Sequence, residues 1–95
     1  MEFRQESFQI TPNELEEGIN KLKKRYKHAY FHEGGDFIAI VVFRTTWQGL
    51  ATVTVIIEPL DDSNYIMNII YPDSEGWGIQ GRFTDKILSK FSNKS

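Results

Sequence analysis

Six residues of this chain, Gly76-Trp77-Gly78-Ile79-Gln80-Gly81, match G-x-G-x-x-G. Glycines at that spacing let a backbone approach a pyrophosphate at the start of a helix. The chemistry also needs a parallel crossover and an acidic ribose ligand about 20 residues further on, which would fall past Ser95. The strands before the motif read instead as an antiparallel meander. Two lesser readings follow. Gly78, Gly81 and Arg82 form a candidate anion contact at a helix N-terminus, or the glycines let Trp77 tuck under a sheet and the helix pack closely.

His28 and His32 are the two histidines. Four residues apart on a strand they share a face but lie roughly 13 Å apart, too wide for one metal ion. With no cysteine in the chain, cysteine-ligated zinc, iron–sulfur clusters, thiol nucleophiles and disulfides are excluded. Neither G-x-S-x-G nor H-E-x-x-H occurs. Glu58 and His32 are left as an acid–base pair that nothing in the sequence brings together. The expectation is a non-enzyme without metal or cofactor.

Lys21, Lys23, Lys24, Arg25 and Lys27 are a local basic run. It reads as the solvated end of a helix complementing the helix dipole, with nucleic-acid binding as a weaker alternative. A net charge of -2 and a pI of about 5.6 lack the basic footprint of a dedicated nucleic-acid binder.

The elements that must position these groups are clear in outline. Glu2 to Ile10 read as a strand. Thr11-Pro12-Asn13-Glu14 is a capping box with proline at the first helical position. Leu15, Ile19, Leu22 and Tyr26 then form one apolar stripe of a helix ending near Tyr26. Strands follow at His28–Glu33, Phe37–Thr46, Leu50–Glu58 and Asn64–Tyr71. Their turns fall at Gly34-Gly35-Asp36, Trp47-Gln48-Gly49 and Asp61-Asp62-Ser63, and Pro72 closes the last strand. A final helix is capped by Asp73, Ser74 or Glu75, with Phe83, Ile87 and Phe91 as its stripe.

The 95 residues, 40% hydrophobic and 14% aromatic, suit one domain over 1–95. Short turns make the last four strands antiparallel, and each helix can bury one stripe. The expected fold is α+β, a two-layer sandwich of order β-α-β-β-β-β-α, with a five-stranded, mainly antiparallel sheet and both helices on one face. The charged, polar N-terminus resembles no signal peptide. The apolar run Phe37–Phe43 is shorter than the about 20 residues a membrane span needs. A cytoplasmic protein with no membrane contact is expected.

Strand alternation identifies a surface. With Gln48-Gly49 as a two-residue loop, Val42 faces Val55 and Ile40 faces Ile57 on the helix side. A three-residue loop at Asp61–Ser63 adds Met67, Ile69 and Tyr71 there. The opposite side then holds Phe37, Val41, Phe43, Thr54, Ile56, Ile66, Asn68 and Ile70, beside the hairpin-tip Trp47. No further helix is available to cover it. Such a patch marks an interaction surface, and stacking on a second copy about a two-fold axis would bury it. A homodimer or another protein partner is expected, with a small apolar ligand between sheet and C-terminal helix as the alternative. The element order resembles one repeat of the TATA-box-binding protein fold, and a short helix-grip domain. The first resemblance implies that the helix-free sheet face is the working surface.

Overall fold

The computed structural model describes residues 2–47, 49–73 and 79–91. In chain order these form β1 (Glu2–Ile10), α1 (Pro12–Arg25), β2 (Tyr30–Gly34), β3 (Phe37–Thr46), β4 (Gly49–Pro59), β5 (Tyr65–Asp73) and α2 (Ile79–Ser89). The strands make one sheet in the order β1-β5-β4-β3-β2, with every neighbouring pair antiparallel. This is the expected two-layer α+β arrangement.

The capping box forms as read. Glu14 N–H donates to the Thr11 hydroxyl at 3.2 Å, and Thr11 N–H donates to the Glu14 carboxylate at 3.0 Å. The helix stops at Arg25, and its C-terminal Lys23 bridges Glu33 of β2 at 3.1 Å while lying over the Phe31 ring. The core lies in a single layer between the sheet and the helices. Leu22, Ile40, Val42, Val53, Val55, Ile57, Met67, Ile69 and Ile87 are sealed from water. Phe83 meets Tyr26 edge to face at 5.8 Å, joining the two helices.

Two details differ from the sequence reading. Thr46 pairs with Gly49, where the expected loop sets Trp47 against Leu50, and Ile40 faces Val55 rather than Ile57. Gln48 itself lies outside the described residues. The pairing is offset by two residues, which equals the side-chain period, so every residue keeps its face. The second difference is Pro72, which does not end β5: it sits opposite Phe3, and the strand runs on to Asp73.

Proline's missing N–H explains how that is tolerated. The β4–β5 ladder runs from Pro59/Tyr65 to Thr54/Ile70, and the next pair in register would set Thr52 against Pro72. There the Gln80 side chain takes over. Thr52 N–H donates to Gln80 Oε1 at 3.2 Å, and Gln80 Nε2 donates to the Thr52 carbonyl at 2.8 Å. The Gln80 amide thus supplies the donor that proline lacks and accepts from the Thr52 N–H as well. Gln80 also donates to Thr84 Oγ1 at 3.1 Å, and both residues are buried.

Side-chain bonds fasten β1 to β5 on both faces of the sheet. Gln5 and Ser7 each donate to Asn68 Oδ1 on the helix-free side. On the other side Tyr71 donates to Glu6 at 2.8 Å, and Arg4 pairs with Asp73 at 3.0 Å. The hydrogen bond to Glu6, then burial, then the Glu6 charge hold the Tyr71 phenol neutral and raise its pKa above 10.

Two predictions follow from this packing. Gly18 of α1 is buried, and a Cβ there would fall inside the Phe91 ring. Gly18→Ala should therefore lose about 1–3 kcal/mol from overpacking, despite a helix-propensity gain of up to about 1 kcal/mol. Urea unfolding checks the sign, and a stabilised variant would show that the ring does not rest on Gly18. For Tyr71, the raised folded-state pKa means its contribution is intact below pH ~10 and is lost as pH rises through the folded value. The alkaline ultraviolet difference titration between the chain and Tyr71→Phe should show a midpoint above 10. Glu6→Gln should lower it, and a midpoint at or below 10 would contradict the Tyr71–Glu6 bond.

Candidate functional site

The helix-free face is built from the alternate residues of all five strands. Across the sheet, Tyr30, Val41, Thr54, Ile70 and Gln5 lie in one row. His32, Ala39, Ile56, Asn68 and Ser7 form the next. Phe43 sits opposite Thr52, and Glu58, Ile66 and Gln9 form a further row. Phe37, Val41, Phe43, Thr54, Ile56, Ile66, Asn68 and Ile70 therefore share this one face, as their spacing implies. Phe37 and Phe43 are 44% and 45% exposed, and the aliphatic members are half-buried by their neighbours. Trp47 stands at the β3–β4 tip, 92% exposed.

The structure adds a feature that the sequence reading did not contain. β1 lies at the far edge, beside β5, and brings Phe3, Gln5, Ser7 and Gln9 to the same face. At the opposite edge β2 brings Tyr30 and His32, with the imidazole against the Phe37 ring at 5.1 Å. Apolar side chains predominate on the three central strands, and apart from Phe3 the edge strands contribute polar or amphipathic ones. Asn68 marks the boundary: its Oδ1 accepts from Gln5 and Ser7, which orients the carboxamide. The pairing of β1 with β5 joins segments far apart in the chain, so the polar border had no local signal.

Charge is nearly absent. Among the described residues of this face, Glu58 is the one Asp, Glu, Lys or Arg, although a quarter of the chain is charged. The basic run from Lys21 to Lys27 lies elsewhere, exposed on α1 and just beyond its end, where Lys23 is bridged to Glu33 and Arg25 lies over Tyr26. Glu58 and His32 are separated by β3, two strands or roughly 10 Å apart, and do not form an acid–base pair within the chain. His28 is outside any strand, so the two histidines do not share one.

The glycine motif is only partly described. Gly78 lies outside the described residues, and Gly81 and Arg82 are exposed in the first turn of α2. A Cβ on Gly81 would meet open space, so close helix packing is not what places a glycine there. The residue of this motif with a definite structural task is Gln80. Its neighbours in type gave no hint of that, because the task depends on where Pro72 falls in the sheet.

Among the described residues no group of three or more His, Asp or Glu side chains is placed to hold a metal ion, and no helix is long and apolar enough to cross a membrane. No family model, curated protein or solved structure matches the chain.

Proposed function

We propose that this is a non-enzymatic interaction domain whose helix-free sheet face binds a second copy of the same chain. The supporting observation is the near-absence of charge from an apolar surface whose edge strands, apart from Phe3, bring polar or amphipathic side chains. Protein interfaces share that anatomy, with charge depleted at the centre and polarity at the rim. A face carrying only Glu58 stacks on its own image with little electrostatic cost, whereas a strongly charged partner would find nothing to pair with.

Area supports the same reading. Phe3, Tyr30, Phe37 and Phe43 are 66%, 61%, 44% and 45% exposed. At ~200 Å² per aromatic they offer on the order of 400 Å² between them. Leu50 and the central aliphatic side chains bring the face toward the ~800 Å² per partner of a standard-size interface. Thr52, Thr54 and Asn68 are small enough to be buried against a matching sheet, and their hydroxyl and amide groups can exchange hydrogen bonds across it.

Sedimentation equilibrium of the full chain at ~100 µM should give twice the mass of 11.1 kDa. Val41→Glu and Phe43→Arg should each give a monomer with unchanged far-ultraviolet circular dichroism, because both side chains lie outside the helix-side core. A monomeric parent chain would overturn the second-copy reading. Unfolding of both variants would show these residues to be core.

A further inference from the structure

The other side of the sheet is not fully roofed. α2 lies over β4 and β5, and on the helix-facing side of β1 Ile10 is buried while Phe8 stays 37% exposed. Between β1, the first turn of α1 and the outer flank of α2 lies a cleft of about 450 Å³. That volume is within the ~300–1,000 Å³ range of small-molecule sites. Its apolar surface is presented by Phe8 and Leu88, with the buried core residues Ile10 and Met67 behind it. Its rim carries the carboxylates of Glu14 and Asp85, and no lysine or arginine lines it.

Neither carboxylate is committed to a cation within the described residues. Glu14 is held in place by the Thr11 N–H at one oxygen, and neither it nor Asp85 forms an ion pair among the described residues. We propose that this cleft binds a small hydrophobic cation, an ammonium group carrying a hydrocarbon chain. The chain would lie on Phe8 and Leu88, displacing water from apolar surface. The ammonium would sit between Glu14 and Asp85, where a fatty carboxylate of equal length would be repelled. This site is on the opposite side of the sheet from the proposed dimer face and does not depend on it.

Titration of isotopically labelled full-length chain with octylammonium, octanoate and octanol separates these possibilities. Octylammonium should shift the methyl resonances of Ile10, Met67 and Leu88, and octanoate and octanol should bind more weakly. Glu14→Gln keeps a capping box, and Asp85→Asn lies on an exposed helix surface, so both variants should fold. Each should weaken octylammonium about threefold and the double variant about tenfold, the range of an exposed ion pair. Octanoate or octanol binding as tightly as octylammonium, no effect of the two substitutions, or the absence of any binding would overturn the proposal. So would shifts confined to Val41, Ile56 and Ile70 on the other face. Val41→Glu should bind octylammonium as the parent does, which keeps this test separate from that of the dimer.

Discussion

Two helices of 14 and 11 residues have to seal a five-stranded sheet from one side, and each offers a single apolar stripe. Side chains on a strand alternate between faces, so β3, β4 and β5 cannot place all their apolar residues under that roof. Ile40, Val42, Val53 and Val55 are sealed, while Val41 and Ile56, one position away, stay half-exposed. The same chemistry thus has two outcomes, decided by residue parity. On one face it stabilises the monomer. On the other it is surface that water wets at a cost, and that cost is recovered only when something covers it.

Much of this was legible in the sequence because it rests on local periodicity. The α1 cap needs four consecutive residues, and the α1 stripe and strand alternation need windows of about ten. Face assignment survived a wrong hairpin loop, since pairing Thr46 with Gly49 shifted the register by two residues and not by one. What stayed hidden was long-range. Nothing near Phe3 to Gln9 says that the strand lies beside β5, so the polar border of the open face could not be anticipated. Gly18 sits on the α1 stripe, but its fit against Phe91 joins two ends of the chain.

Gln80 shows why a motif can mislead. Within Gly76–Gly81 it occupies a variable position, where a phosphate-binding reading assigns no role. The structure gives it a peptide-like role, closing the β4 backbone at Thr52 opposite a proline. Proline in a strand interior costs a ladder bond, and unpaired buried peptide groups cost about 1–3 kcal/mol each. A buried glutamine on the first turn of the following helix removes that cost and fixes how α2 approaches the sheet. The helix that roofs the core is therefore placed partly by a defect in the strand beneath it.

β1 links the two surfaces of the molecule. Its outward residues Gln5 and Ser7 bind Asn68 and frame the open face, and its inward Phe8 and Ile10 line the cleft beside α2. As an edge strand it has one neighbour, β5, and its hold depends on the ladder plus the side-chain bonds on each face. Charged and polar residues along it also discourage strand-to-strand association at that edge. The face-to-face contact proposed above does not use that edge. The polarity that makes β1 a poor core strand thus also keeps its free edge from pairing with another strand.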